Sequence, residues 1–448
     1  MRRAILQLLP ADPWLKLCAI GLGLILLVMP VHALVSTWGG TSLGPLWLWK
    51  TWKEIVLVAV AGLFGLWLAR HAEQRKAFVR EPLVGLAGIY ILLTLAWAVL
   101  FSYSNSLEAT LAGVAMNLRY IVIALVAYGV IRFGAVRYEA YRSLIGRWLL
   151  GVGVGLAVFG LLQVTVLPPD TLTYVGYDKE TTIAPYMLID QNEGVLRAFA
   201  TLRGPNDYGA FLILPLLLGL MLMRRRRWVG AAVVGVIAAA IVASGSRSAW
   251  IGALLAIAVW VALRLGRRIM ASRVFWYGAL TALVFAAGLI YTALHVPALR
   301  LAVFHSSPGD SSLTEGSTDQ HWIATRDGIV RVVRDPLGCG PGCAGPASYY
   351  GETPRISENY VVQIAEEVGV FGLIVWLAIV GLVGYRLYTY RQDWLARALL
   401  ASGVGLMAIG LWLHVWSDDP LSLTWWALAG VVLGGHAGAR RRVKKSVS

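Results

Sequence analysis

Charge is scarce in this sequence. Asp, Glu, Lys and Arg make up 14% of its 448 residues, and only 24 of those are acidic. A water-soluble chain carries about a quarter charged residues, so the shortage excludes a string of two or three soluble domains. Cysteine is nearly absent, with three residues. Cys18 falls in an apolar run, and Cys339 and Cys343 in "GCGPGCAG" lack the second ligand pair a metal would need. A disulfide between those two and a pair of free thiols in a glycine-rich turn are both open. Internal repeats and low-complexity tracts are absent. What the chain has is apolar sequence in long runs. It is 58% hydrophobic, with mean hydropathy +0.68. "LKLCAIGLGLILLVMPVHALV" (15–35) and "VFWYGALTALVFAAGLIYTAL" (274–294) each approach the roughly 20 residues that cross a bilayer. These features predict an all-α polytopic membrane protein.

Twelve spans are predicted, at 15–35, 54–69, 83–101, 109–131, 148–166, 208–223, 229–245, 249–263, 274–294, 366–385, 398–415 and 421–438. They form one integral membrane domain over 1–448 with both termini on the same side. The segments on the terminal side hold 27 of the 39 basic residues and five of the 24 acids. That asymmetry recurs at alternate loops, as the positive-inside rule requires, and it puts the termini in the cytoplasm. The net charge of +15 is therefore a topology signal, and a nucleic-acid footprint is not expected. The short basic N-terminus runs into an apolar stretch with no A-x-A cleavage site, which reads as an uncleaved first span.

Two outer segments are long, 167–207 and 295–357, and loops of that length usually carry function. In the second, "DQHWIATRDGIVRVVRD" sets Trp322, Ile323, Ile329, Val330 and Val333 at helical spacing. It predicts an amphipathic helix at the membrane surface, packed on the spans, or both. Three polar patches stand out. "LRAFATLRGPNDYGAFL" carries Arg197 and Arg203 before a Pro-Asn turn with Asn206. "ASGSRSAWIGAL" carries Arg247 at a tight turn between spans. The loop helix carries His321, Arg326, Arg331 and Arg334 and leads to "RISENYVVQIAEEVG", where Glu358, Asn359 and Tyr360 stand at the mouth of the tenth span. Arg119 lies inside the fourth span, where a cation is costly. Any one outer arginine also reads as an interfacial anchor. Together, forked guanidinium groups suit a diphosphate, and a carboxylate beside them could take a proton from an incoming hydroxyl.

On these motifs the chain resembles the O-antigen ligase / O-antigen polymerase superfamily of bacterial envelope glycosyltransferases. "RAFATLRGPNDYGAFL" is similar to the family's R-x-F-x-T and P-N turn. "SGSRSAW" is similar to its S-R-[SG]-A turn, and "DPLGCGPG" to its DPLGxGxG approach. "SENYVVQIAEEVGVFG" is similar to its x-N-x-Y-L-Q…E-x-G-x-x-G entry helix. In ligases of the family that helix begins His-Asn. Here Glu358 stands before Asn359, as in polymerase and exopolysaccharide branches where a carboxylate holds that place and a histidine, here His321, lies earlier in the loop.

The resemblance and the reading of the residues together give Glu358 and His321 as expected catalytic groups and Arg197, Arg203 and Arg247 as expected diphosphate ligands. Asn206, Asn359, Tyr360, Arg326 and Arg119 would support them. The resemblance implies an undecaprenyl-diphosphate-linked glycan as donor and a glycan or lipid A-core sugar as acceptor. Transfer would be inverting and need no metal or cofactor, at the periplasmic face of the inner membrane. "WSDDP" at Asp418 and Asp419 reads as a turn and helix cap, and Glu367 as a tie between spans.

Two other readings compete. Ser357 could cap a helix whose first turn holds Glu358, leaving that acid no task beyond the helix dipole. Tyr349, Tyr350 and Tyr360 could stack on sugars or form an outer aromatic belt. A lipid-linked oligosaccharide flippase would handle the same lipid, but it should line its spans with charge and show related halves. Here polar residues crowd into two outer loops.

Overall fold

The computed structural model describes residues 9–101, 105–189, 192–270, 272 and 317–447. The predicted ninth span, 274–294, lies outside the described residues, as does the first part of the second long loop.

The helices follow the apolar runs and begin at polar caps. α1 (Pro13–Val28) starts where the Asp12 carboxylate accepts from the Trp14 and Leu15 amides, with Pro13 in the first turn. Such a cap satisfies donors that have no partner inside the helix. A 3-10 turn at Met29–Val31 joins it to α2 (His32–Ser42). α3 (Leu46–Arg70), the short α4 (Ala72–Val79), α5 (Pro82–Leu100), α6 (Leu107–Phe133) and α7 (Tyr138–Thr165) follow. A hairpin of β1 (Leu188–Ile189) and β2 (Asn192–Leu196), paired antiparallel, leads to α8 (Pro205–Phe211) and α9 (Ile213–Leu222). Then come α10 (Arg227–Ala243), α11 (Arg247–Met270), the loop helix α12 (Ser317–Arg334), α13 (Tyr360–Thr389), α14 (Trp394–Gly410) and α15 (Asp419–Val447).

Among the described residues, eight helical segments are long and apolar enough to cross a membrane, and α10 and α14 are shorter apolar helices of 17 residues. The chain is an all-α, multi-pass membrane protein. Outside the ninth, the predicted spans fall on helices whose ends differ from the predicted ones. The eleventh, predicted to reach 415, has a helix that stops at Gly410.

Two packing features position the functional end. First, α15 lies against α6 along a glycine seam. A Cβ on Gly430 would come within 2.2 Å of the Ala124 carbonyl oxygen, and one on Gly434 within 2.4 Å of that of Tyr128. Small residues four apart let helix backbones approach in this way. Second, α13 is broken at Gly369, which takes φ +71°. The "DPLGCG" backbone enters the break. The Cys339 and Gly340 amides donate to the Glu366 and Glu367 carbonyls at 2.8 and 3.1 Å, and the Val370 amide donates to Pro336 at 2.9 Å. The inserted loop thus replaces ladder bonds the broken helix loses. Cys339 and Cys343 form a disulfide with Cα atoms 5.9 Å apart. The Glu367 carboxylate accepts from Asn117 Nδ2 on α6 at 2.8 Å and from the Gly342 amide at 2.9 Å. It ties loop and spans together.

Candidate active site

At the end of the bundle where α13 and α15 begin and α14 ends, a cavity of about 360 Å³ opens. The turn from β2 into α8 supplies Arg197, Arg203, Asn206 and Asp207. The segment before α13 supplies Pro346, Tyr349 and Glu358. The linker between α14 and α15 supplies Leu413, His414, Ser417 and Asp418.

Glu358 does not sit in a helix. Asn359 is the cap of α13, its Oδ1 accepting from the Val362 amide at 3.1 Å while its Nδ2 donates to the Leu411 carbonyl at 3.0 Å. Glu358 precedes it at φ +52°. That left-handed conformation is uncommon for a residue with a Cβ and costs about 1–3 kcal/mol. The expected alternative, a Ser357 cap with Glu358 in the first turn, is thereby corrected. Ser357 is fully buried, and its carbonyl accepts from the Thr325 hydroxyl of α12 at 3.0 Å. The strained backbone turns the acid toward α12, where Glu358 Oε2 lies 3.2 Å from His321 Nδ1. Burial works against the charged carboxylate. The His321 imidazole, helped by His414, outweighs it and holds the acid below its usual range.

Arg197 is clamped. Its Nε donates to the Ser244 carbonyl at 2.9 Å and its Nη2 to Asn206 Oδ1 at 3.0 Å. The Ala198 amide donates to the Ala243 carbonyl at 2.9 Å. The arginine turn and the "SGSR" turn are therefore one interlocked structure. Arg203 is exposed, lines the cavity, and among the described residues makes no hydrogen bond or ion pair. Arg247 opens α11 beside that clamp but is not on the cavity wall.

Other predicted residues lie elsewhere. Tyr360 is buried, donating its hydroxyl to the Tyr120 hydroxyl at 3.1 Å. It is not placed to stack on a sugar. Arg326 is exposed on α12. Arg119 is buried in a closed ion cluster behind the cavity. It pairs with Glu54 at 2.9 Å and with Asp419, and its Nη2 donates to the Ser417 carbonyl at 2.6 Å. Lys53 and His32 complete the cluster, 2.9 and 3.3 Å from Asp419. The costly cation is thus matched by acids and fixes the linker that forms one cavity wall.

Sequence reasoning missed His414, Ser417, Asp207 and the cavity-facing side of Asp418. Asp418 does cap α15, accepting from the Leu421 amide at 3.1 Å. Burial pushes its carboxyl well above the usual range, and repulsion from Asp207 and Asp419 adds to that. The available signal was a histidine and two aspartates within six residues, "HVWSDD", at the mouth of two spans.

Residues 232–377 match the family described as O-antigen ligase. The match takes in Arg247, His321 and Glu358 and stops short of Arg197, Arg203 and His414. No curated protein matches the chain. The match covers about a third of this multi-pass membrane chain and supports its resemblance to the O-antigen ligase / O-antigen polymerase superfamily.

Proposed function

We propose that the chain transfers a glycan from an undecaprenyl-diphosphate-linked donor onto a sugar hydroxyl at the periplasmic face of the inner membrane. Polymerisation and ligation to a lipid A-core are the two forms this takes. One observation carries the proposal: a single cavity gathers Arg197, Arg203 and Glu358 from segments some 150 residues apart in sequence.

The roles follow from chemistry. Arg203, with its guanidinium free among the described residues, binds the diphosphate and stabilises the charge that builds as it leaves. The clamped Arg197 sets the shape of that wall. Glu358 takes the proton of the attacking hydroxyl, and His321 orients the carboxylate. The acceptor oxygen bonds to the anomeric carbon from the face opposite the diphosphate. The carbon–oxygen bond to phosphate breaks with its electron pair on the leaving group, and the anomeric configuration inverts. Neither a metal nor a cofactor is required by this scheme.

The face is supported by charge. Arg132 and Arg142 lie at the far end of the helices, paired with Glu81 and Asp393. The positive-inside rule assigns such an end to the cytoplasm. The apolar residues Trp322, Ile329 and Val333 of α12 are exposed, which suits a helix lying on the outer leaflet.

The test is reconstitution of the full chain in liposomes with an undecaprenyl-diphosphate glycan and two competing acceptors, a lipid A-core glycolipid and a second lipid-linked glycan. Product on either acceptor with release of undecaprenyl diphosphate is expected. Movement of the intact donor between leaflets without new glycosidic bonds would mean a flippase.

A further inference from the structure

His414 stands on the cavity wall with one ring nitrogen used and the other bare. Its Nδ1 lies 2.8 Å from Gln363 Oε1. Nε2 is buried and has no hydrogen-bond partner among the described residues. The Ser417 hydroxyl on the same wall is likewise buried and unpartnered. Buried polar atoms are normally satisfied, so each of these needs an explanation.

The bonding around Gln363 decides which nitrogen carries the proton. Gln363 Nε2 points to Glu367 Oε2 at 3.5 Å, and that carboxylate also holds Asn117 and the Gly342 amide. The amide oxygen of Gln363 therefore faces His414 and can only accept. Nδ1 must donate, which leaves a lone pair on Nε2. Burial keeps the ring neutral. Burial lowers its pKa to about 4, with His321 and Arg203 lowering it and Glu358 opposing them.

We propose that His414 is an acceptor-binding residue, whose bare Nε2 receives the hydrogen of a sugar hydroxyl next to the attacking one while the Glu367–Gln363 relay fixes the tautomer. This rests on the glycosyl-transfer reading above and extends it to a specificity element. The arginines hold the donor, and the Glu358 and His414 side of the cavity takes the acceptor. A neutral nitrogen lone pair suits a hydroxyl and would offer nothing to a diphosphate.

Two conservative variants separate binding from architecture. His414→Asn keeps a donor for Gln363 but has no atom at the Nε2 position. His414→Gln places an amide oxygen near that position and gives up the bond to Gln363. The assay is transfer by the reconstituted full chain, with an undecaprenyl-diphosphate glycan as donor and a lipid A-core glycolipid or second lipid-linked glycan as acceptor. His414→Asn should raise the acceptor KM about tenfold, the worth of one hydrogen bond, and leave the donor KM unchanged. His414→Gln should stay within about threefold of wild type. Gln363→Leu, which frees the tautomer, should shift the acceptor KM in the same direction as His414→Asn and serves if that variant does not fold. The reverse order of the two His414 variants, or an unchanged acceptor KM in both the His414→Asn and the Gln363→Leu proteins, overturns the assignment. Glu358→Gln in the same assay keeps the two ideas apart: if it transfers at the wild-type rate, the glycosyl-transfer site itself is wrong.

Discussion

Asp393, which is buried, and Glu358, which is half-buried, are acids at opposite ends of the bundle, separated by α14, whose 17 residues span about 25 Å. Asp393 is surrounded. It caps α14 through the Leu395 amide at 2.9 Å, accepts from Tyr138 at 2.5 Å, and pairs with Arg142 at 2.9 Å and His436 at 3.1 Å. Burial opposes its charge, yet His436, Tyr138, the Leu395 amide and Arg142 together hold it at about 2. Among the described residues Glu358 has one ion-pair partner, His321, a left-handed backbone, and a cavity beside it in which the His414 Nε2 and Ser417 Oγ atoms make no hydrogen bond. A polar network that satisfies itself stabilises the fold. One that stays strained and unfilled is organised toward something that arrives from outside.

The sharpest way to break this contrast is to remove charge at each end. Glu358→Gln should cut transfer about 10²–10⁴-fold, the range for a lost general base, with little change in thermal midpoint. Arg203→Ala should cost about 10²–10³-fold in turnover, because the guanidinium neutralises the departing diphosphate. Asp393→Asn should do the opposite. Breaking a buried ion pair costs about 3 kcal/mol, seen as a lower unfolding midpoint in detergent, while turnover per folded molecule holds. The pH dependence has a definite sign. The folded pKa of Asp393, about 2, lies below the ordinary 3.8. Its contribution to stability is therefore complete above 3.8 and is lost as pH falls from there toward 2. Replacing Cys339 and Cys343 with serine should matter least, about 2 kcal/mol, because so short a loop gives a crosslink little unfolded-chain entropy to remove.

Much of the fold was legible because apolar run length and charge asymmetry are local in sequence. The amphipathic helix was predicted over 319–335 and found as α12, and the tie through Glu367 was anticipated from its motif. The partners of Arg119 were not legible: Glu54 and Asp419 are 65 and 300 positions away, and nothing in a single sequence pairs them. His414 was hidden by its neighbours. "GLWLHVW" reads as continuing span, so the helix end at Gly410 and the turn that aims the imidazole into the cavity had no hydropathy signature. The arginines were expected to converge as three. Arg197 and Arg203 line the cavity and Arg247 does not, a distinction that a motif does not encode.

The most direct measurement places Glu358→Gln and Asp393→Asn side by side in proteoliposomes, recording glycan transferred per folded molecule and the thermal midpoint of each. The first protein is expected to be stable and silent, the second fragile and active. A Glu358→Gln protein that builds glycosidic bonds at the wild-type rate would contradict it.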